Sequence, residues 1–318
     1  MRTVFRIAFL LVLVAAGLPE PAAQPASPPA HERASSPALP LAEVPFTLHQ
    51  NAIILPALIN ERDTVQLLLD TGWGPLALVS TSAKRLGLHP KGSAGDLPRV
   101  EVRSFAVGGA VVKKASIEVF PTEELEPLIG PHDGVLSTAF FRDLVLQIDY
   151  PSKVVRFYSR SPIPDTPSLE PGARVSVPMV FSPRAGGLPF TDAVLVDGKP
   201  VRALFDTGGM GGFMAMKQLV ERLELPLVSD TSAKIAIGML SGEKAVQQQV
   251  QFVRVGRIAL GPFAVDAPRV MLAPSGLEGD DWGHDLNIGY GFMRDYVVTF
   301  DYPGKLITFE RPASASAP

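Results

Sequence analysis

The chain has 318 residues, enough for two ordinary domains, and its content of 46% hydrophobic and 19% charged residues excludes a globally disordered protein. Lys and Arg number 29 against 32 for Asp and Glu, so no basic field favours nucleic acid as a partner. The absence of cysteine excludes disulfides, thiolate nucleophiles, iron–sulfur clusters and Cys-type zinc sites.

The N-terminus has the pattern of an export signal. Arg2 and Arg6 precede an apolar run over residues 7–17, which is too short to span a bilayer. We expect residues 1–23 to be a signal peptide and the protein to be exported to the periplasm or secreted, with an uncleaved anchor as the alternative. Residues 24–44 are rich in Pro and Ala and predict a semi-extended linker. No later stretch predicts a membrane span.

From residue 45 onward, short runs of Val, Ile, Leu and Phe are separated by turn residues, which predicts an all-β chain, mostly antiparallel, with a few short helices. The pattern occurs twice, because in each half two strands flank a polar turn and an Asp-Thr-Gly tripeptide follows at once. The two tripeptides, residues 70–72 and 206–208, are 136 residues apart. The predicted strands are residues 52–59 and 64–69 in the first half and residues 191–196 and 200–205 in the second.

The ends of the two halves match as well. An apolar residue followed by Arg-Asp precedes a short strand and an Asp-Tyr-Pro turn, at residues 141–151 and again 152 residues later. The second half therefore carries 16 additional residues between its landmarks, and each half has one helix candidate, Ser82–Leu88 and Met216–Leu225. The duplication predicts an N-terminal lobe (45–160), a Pro-rich inter-lobe linker (161–172), a C-terminal lobe (173–312) and a tail (313–318).

The repeated Asp-Thr-Gly is a chemical signal. A single Asp-x-Gly after a buried strand is an ordinary turn, because Asp bonds to the backbone and Gly accepts positive φ. Two copies in a duplicated unit are a different case from a single turn, since a two-fold arrangement can bring equivalent strand ends face to face. Asp70 and Asp206 would then be neighbours, and two carboxylates a few ångströms apart cannot both ionise.

With these residues the chain resembles the aspartic proteases, and more nearly the retropepsin-like branch found in bacterial exported proteins. That branch has a hydrophobic-hydrophobic-Gly element, a hydrophobic-Arg-Asp segment and a closing Asp-Tyr strand, with counterparts in each half, and the resemblance covers roughly residues 45–312. These elements are Val135–Ser137, Phe141–Asp143 and Asp149–Tyr150 in the first half and Ile288–Gly289, Met293–Asp295 and Asp301–Tyr302 in the second. The resemblance implies a two-lobed, acid-protease-like β-barrel fold.

The resemblance also implies a single-chain aspartic-type endopeptidase acting on a peptide or protein, expected to be a monomer. Asp70 and Asp206 would form the catalytic dyad that activates a water. The threonines of the turns would clasp the two lobes by hydrogen bonds, and the glycines would let backbone amides approach the carboxyl groups. The supporting loop residues are Thr71, Gly72, Thr207 and Gly208. No metal and no organic cofactor are implied.

Three features depart from the family pattern. Trp73 and Gly209 stand where Ala or Ser usually follows Asp-Thr-Gly, and Trp73 could either crowd or pack beside the dyad or line a substrate pocket. Ser137 replaces the Gly expected in the first half. Two segments are candidates for a lid over the cleft, Arg99–Val107 with its neighbouring turn and Ile235–Val246, and neither contains a Tyr, which argues against a pepsin-type flap.

Two other functions stay open from these residues. The departures motivate a catalytically impaired version of the fold that acts as a peptide-binding or envelope module. A glycosidase that uses two carboxyl groups is the third option, and it requires a separation of roughly 5–9.5 Å between them.

Other constellations favour structural explanations. The five histidines never fall at i,i+4 or in a His-x-His pair, so no metal site is predicted. The glycine-rich run at 208–212 lacks the spacing of a phosphate-binding loop, and the acidic stretch at 278–285 predicts a solvated insertion rather than a Ca²⁺ loop. Arg142 and Arg294 are expected to brace the lobes together with the Asp residues that follow them.

Overall fold

Apolar residues at alternate positions give most strands one face in the core, as the computed structural model of the chain shows. The structure describes residues 38–92, 97–122, 131–163, 174–182, 187–209, 211–239, 243–274 and 283–312, without side chains for 229–250. The predicted signal peptide, most of the two predicted linkers and the tail lie outside these ranges. Within them, no helix has the length and apolar character needed to cross a membrane.

Twenty-two strands and four short helices make up the described residues. The first-half strands are β1 (Ala42–Pro45), β2 (Thr47–His49), β3 (Ala52–Ile59), β4 (Asp63–Asp70), β5 (Ala77–Val79), β6 (Arg99–Val107), β7 (Ala110–Phe120), β8 (Gly134–Ser137), β9 (Val145–Asp149) and β10 (Val154–Tyr158). The second-half strands are β11 (Arg174–Pro178), β12 (Phe190–Val196), β13 (Lys199–Phe205), β14 (Phe213–Ala215), β15 (Leu227–Met239), β16 (Glu243–Arg254), β17 (Arg257–Leu260), β18 (Phe263–Asp266), β19 (Arg269–Leu272), β20 (Leu286–Ile288), β21 (Val297–Asp301) and β22 (Leu306–Glu310). The helices are α1 (Ser80–Arg85), α2 (Thr138–Phe141), α3 (Lys217–Leu223) and α4 (Tyr290–Met293).

The predicted elements agree closely with these bounds. The hairpin β12–β13 turns at Asp197 and Gly198, with φ of 48° and 78°, the doubly positive geometry that suits the twist of a two-residue hairpin. Both predicted helices are present, although each is shorter than expected. Strand β1 begins at Ala42, inside the segment predicted as linker.

Each half forms its own sheet. The first lobe has seven strands in the order β2-β3-β4-β8-β5-β7-β6, and an additional β3–β6 pairing closes the sheet on itself. The second lobe has nine strands in the order β15-β16-β19-β14-β20-β13-β12-β17-β18. In each lobe the strand that leads to Asp-Thr-Gly has a parallel neighbour, β8 for β4 and β20 for β13.

A third sheet joins the lobes. Its six strands follow the order β1-β10-β9-β21-β22-β11, so each lobe contributes three, and the equivalent strands β9 and β21 pair antiparallel at the centre. Across this junction Gln147 donates a 3.1 Å hydrogen bond to Thr299. One continuous cluster of buried apolar residues extends through both halves. The predicted all-β, two-lobed fold is therefore confirmed.

The additional residues of the second half lie in the hairpin β15–β16. Ile59 pairs with Phe105, and its equivalent Val196 pairs with Ile258, which is 153 residues beyond Phe105. The helices before these strands are offset by only 137 residues, measured from Arg85 to Arg222. The length difference thus falls in the hairpin and not in the acidic stretch at 278–285, where we expected an insertion.

The two lid candidates have different surroundings. Arg99–Val107 is strand β6, and its side chains at Val100, Val102 and Phe105 are buried in the core, so the prediction of a mobile lid there is wrong. The core position follows from its pairing with both β7 and β3. The second candidate, Ile235–Val246, lies in the hairpin β15–β16, and a lid at this hairpin stays a prediction.

Candidate active site

Strand burial explains how the two aspartates reach the lobe interface. The last three residues before each Asp, Leu67–Leu69 and Ala203–Phe205, are buried on both faces. The outer two of each three pack into the main apolar core, whereas Leu68 and Leu204 pack into separate small clusters on the other face. Asp70 lies opposite Ser137 on the parallel neighbour β8. Asp206 follows β13 directly, and its amide donates to the carbonyl of Ile288 at 2.9 Å.

Four hydrogen bonds clasp the two turns together. The hydroxyl of Thr71 donates to the carbonyl of Phe205 at 2.6 Å and accepts from the amide of Thr207 at 3.0 Å. The hydroxyl of Thr207 does the same in reverse, donating to Leu69 at 2.8 Å and accepting from the Thr71 amide at 3.0 Å. Both threonines are fully buried, so the clasp is shielded from water and holds the strand ends in register.

Each glycine of the turns lies against the carboxyl group of the other lobe. A Cβ atom added to Gly72 would be 2.6 Å from Cγ of Asp206, and one added to Gly208 would be 2.6 Å from Cγ of Asp70. Both glycine amides also donate to the Asp of their own turn, Gly72 to Asp70 at 2.7 Å and Gly208 to Asp206 at 2.9 Å. The two carboxyl groups therefore face each other between two backbone loops that have no room for side chains.

The two carboxyl groups, each against the glycine of the opposite turn, form one electrostatic unit. Burial raises the pKa of Asp70 well above its ordinary value, and the negative charge of Asp206 raises it further. Burial also raises the pKa of Asp206, but hydrogen bonds from Asp70, Gly209 and Gly208 oppose this increase. A pair in this position retains a proton to higher pH than an exposed carboxyl group does.

Two buried tyrosines from the closing Asp-Tyr segments approach the dyad in a crossed arrangement. Burial and then the charge of Asp206 raise the pKa of Tyr150, which follows the first-lobe strand β9. Burial and then the charge of Asp70 raise the pKa of Tyr302, which follows the second-lobe strand β21. Both phenols are buried and thus stay neutral under the influence of the carboxyl groups.

Asp206 has an additional donor that Asp70 lacks. Nδ2 of Asn287, in the middle of β20, lies 3.5 Å from Oδ2 of Asp206, and Oδ1 of the same amide lies 2.6 Å from Nε2 of the buried His284. The equivalent position in the first lobe, 152 residues earlier, is Val135. Sequence reasoning missed both residues because it considered the histidines only as metal ligands.

A second pair of acids explains the repeated His-Asp dipeptide before β8 and β20. Asp133 accepts hydrogen bonds from the Gln66 amide on β4, from Ser82 and from Arg85 of α1. Its equivalent Asp285 accepts from the Arg202 amide on β13 and from Arg222 of α3. Each Asp therefore ties the helix of its lobe to the strand that carries the catalytic candidate. The spacing of 152 residues between the two dipeptides was the available sequence signal.

Trp73 and Ser137, which depart from the family pattern, both have packing or hydrogen-bond partners in the first lobe. The indole of Trp73 packs edge-on against Phe120, with ring centroids 5.8 Å apart, beside a small apolar cluster that includes Leu68 and Val135. The hydroxyl of the fully buried Ser137 donates to the carbonyl of Gly74 at 2.9 Å. In the second lobe a Cβ at Gly289 would collide with the carbonyl oxygen of Gly209, so only there is glycine required.

The structure brings together all six residues predicted for the site, Asp70, Thr71, Gly72, Asp206, Thr207 and Gly208. Arg142 and Arg294 are not part of it. Each forms only a long pair with the Asp that follows it, at 3.9 and 3.8 Å, and the side chains of both pairs are more than half exposed. The prediction that they brace the lobes is wrong, because their segments point to solvent. Among the described residues, no cluster of three or more His, Asp or Glu side chains could hold a metal ion.

Comparisons with known proteins bear on the second lobe in particular. Among curated proteins, none matches the chain. A solved structure of aspartic proteinase from Irpex lacteus is similar over 87% of this chain and 98% of that chain, with 12% sequence identity and a TM-score of 0.49. The family described as aspartyl protease matches residues 193–292. That match includes the turn at 206–208 and strand β20 beside it, so the similarity to aspartyl proteases includes one of the two Asp-Thr-Gly turns.

Proposed function

We propose that the protein is an aspartic-type endopeptidase in which Asp70 and Asp206 activate a water for attack on a peptide bond. The observation that carries the proposal is the contact of two carboxyl groups across the lobe interface, each packed against the glycine of the opposite turn. Their pKa values are raised by burial and, for Asp70, by the second charge, so that one proton can be shared between them.

The geometry supports a division of the chemistry between the two acids. The ionised carboxylate would take a proton from the water as it attacks, while the protonated carboxyl group would donate its proton to the scissile carbonyl oxygen. The threonine clasp keeps both groups in place during this exchange, so little reorganisation is needed. A peptide would lie extended between the lobes, and the export signal predicted at residues 1–23 favours substrates outside the cytoplasm.

The test is the hydrolysis of casein and of a peptide library by wild type and by Asp70→Asn, between acidic and neutral pH. Asn keeps an oxygen acceptor for the Gly72 amide but cannot carry the shared proton. We expect kcat to fall by at least about 100-fold, since general acid–base catalysis contributes that much or more. Equal cleavage by the variant would remove the proposed chemistry.

A stability measurement controls for misfolding of this variant. Because the pKa of Asp70 is raised in the folded state, the folded protein holds a proton that the unfolded chain has released, and stability declines as pH rises through the folded pKa. Asn does not ionise, so Asp70→Asn should be more stable than wild type at pH 7, by about 1.4 kcal/mol for each unit of raised pKa. Near pH 3 the two should be equal in urea unfolding.

Two alternatives have distinct outcomes in the same assays. Peptide capture without turnover, equal in wild type and Asp206→Asn, would indicate a peptide-binding module with an impaired dyad. Glycoside hydrolysis is disfavoured because each carboxyl group packs against the glycine of the opposite turn and the two form one electrostatic unit, whereas the two acids of a glycosidase stand roughly 5–9.5 Å apart.

A further inference from the structure

The two carboxyl groups of the dyad lie in an almost symmetric frame, but the outer oxygens have different partners. The clasp, the glycine amides and the crossed tyrosines are duplicated in both lobes. The hydrogen bonds that the two carboxyl groups accept from side chains differ between the lobes, because Asn287 of β20 faces Asp206 where the first lobe has Val135. The Gly209 amide adds a second difference, since it donates to Oδ1 of Asp206 at 3.1 Å where the first lobe has Trp73. The asymmetry in side-chain donors is therefore confined to one strand position.

The contacts of Asn287 fix the direction of its amide. Its Oδ1 lies 2.6 Å from Nε2 of His284, and an amide oxygen can only accept, so the imidazole donates there. This leaves Nδ2 to donate to Asp206 at 3.5 Å. The reverse orientation would turn the amide oxygen toward a carboxylate, which is repulsive.

His284 is held so that it can act as this donor. It is 2% exposed, its ring packs 5.5 Å from that of Phe190 on β12, and its carbonyl accepts from Gln218 of α3 at 2.5 Å. Burial lowers the pKa of His284 despite its bond to Asn287 and the neighbouring charge of Asp285, so the imidazole is neutral at pH 7. A neutral ring with its proton on Nε2 orients the amide without adding a charge beside the dyad.

We propose that His284 and Asn287 are positioning residues that hold Asp206 as the ionised member of the dyad, so that Asp70 keeps the shared proton. The proposal rests on the function proposed above and assigns the two roles that the near-symmetric frame leaves open: Asp206 is the base and Asp70 the acid. The other titratable groups near the pair are Tyr150, beside Asp206, and Tyr302, beside Asp70. Among the described residues neither phenol donates to Oδ2 of Asp206, since Tyr150 donates to Met293 and the Tyr302 hydroxyl has no hydrogen-bond partner.

The direct test is Asn287→Val, which copies the residue that the first lobe has at this strand position. Loss of the donor destabilises the Asp206 carboxylate, so the first proton leaves the dyad at higher pH. We expect the acidic limb of the kcat/KM profile to move up by about 0.5 to 1 pH unit, with the basic limb and the KM at the optimum unchanged. A uniform loss of kcat with an unmoved acidic limb would overturn the proposal.

A second pair of variants separates positioning from packing. His284→Met removes the donor but fills the buried site, whereas His284→Gln keeps an N–H group near the position of Nε2. We expect His284→Met to move the acidic limb of the kcat/KM profile to higher pH, as Asn287→Val does. We expect His284→Gln to leave this limb close to its wild-type position. Equal profiles for Met and Gln would contradict the proposed role of Nε2. His132→Gln, at the equivalent place in the first lobe, is the matched control and should leave the acidic limb unchanged.

A measurement that does not depend on catalysis can test this inference separately from the proposed function. ¹³C NMR titration of the Asp carboxyl carbons, with Asp206→Asn for assignment, should show the Asp206 signal titrating at higher pH in Asn287→Val than in wild type. An unchanged Asp206 titration in Asn287→Val overturns the proposed roles of His284 and Asn287, whether or not the protein cleaves peptides. A wild type that cleaves nothing but shows the shift refutes the peptidase function alone.

Discussion

The glycines of the two turns show why this tripeptide occurs at both strand ends. Gly72 contacts the carboxyl group of Asp206 and Gly208 contacts that of Asp70, so each glycine is selected by the opposite lobe rather than by its own turn. Neither has the positive φ that usually explains a glycine in a turn. The close approach across the interface is the physical requirement, and it exists only after the lobes have met.

A matched pair of substitutions tests this packing. Gly72→Ala would place a methyl group 2.6 Å from the Asp206 carboxyl carbon, which must move the acid away from its partner. We expect kcat/KM for casein to fall about 100-fold, since displacements near 1 Å cost this much. Gly74→Ala, two residues along, meets nothing within 4 Å and should change kcat/KM less than about twofold. Similar losses in both variants would contradict the interface explanation.

At the scale of elements, each strand that leads to an Asp-Thr-Gly turn is attached to the helix of its lobe by the Asp of a His-Asp dipeptide, and we call this Asp the anchor of the strand. Burial acts to raise the pKa of Asp133, but hydrogen bonds from Ser82, the Gln66 amide and Arg85 outweigh it and lower the pKa. The lowered pKa means that the folded state prefers the ionised form. The contribution to stability is therefore present above the ordinary carboxyl pKa and is lost as pH falls through the folded value.

This anchor predicts a pH-dependent effect of Asp133→Asn. The amide keeps one acceptor oxygen but loses the charge that Arg85 and Ser82 contact, so we expect unfolding to cost about 1–3 kcal/mol less at pH 7. The difference from wild type should shrink as pH falls through the lowered pKa of Asp133. Asp143→Asn, with a side chain 92% exposed, is the control and should stay within about 0.5 kcal/mol in urea unfolding. A difference that is constant with pH would refute the anchor.

For the whole molecule, the sheet shared by the lobes makes folding of one half depend on the other. Strands β9 and β21 pair at its centre, and the threonine clasp adds four buried hydrogen bonds above it. The apolar cluster also continues across the junction, with the Phe141 and Tyr302 rings 5.4 Å apart. Separation of the lobes would expose these groups at once, so the interface belongs to the folding core.

We therefore expect a single cooperative unfolding transition. In a Trp282→Phe variant, whose one tryptophan is Trp73 of the first lobe, fluorescence and far-UV circular dichroism of the whole chain should give coincident midpoints, and calorimetric and van't Hoff enthalpies should agree. Two resolved transitions, with the fluorescence change confined to one of them, would mean that the lobes unfold independently.

Local sequence patterns determined the strands, both principal helices and the duplication, because alternation of apolar residues and Asp-Gly turns act within a few residues. The spacing of the repeats further indicated that Asp70 and Asp206 would meet. Tertiary structure alone decided that β6 is a core strand and not a lid, and that Arg142 and Arg294 face solvent. It also brought His284 and Asn287 to one carboxyl group of the pair. These outcomes depend on contacts between segments that are far apart in the chain. The pattern of residues within one segment does not predict the energies of such contacts.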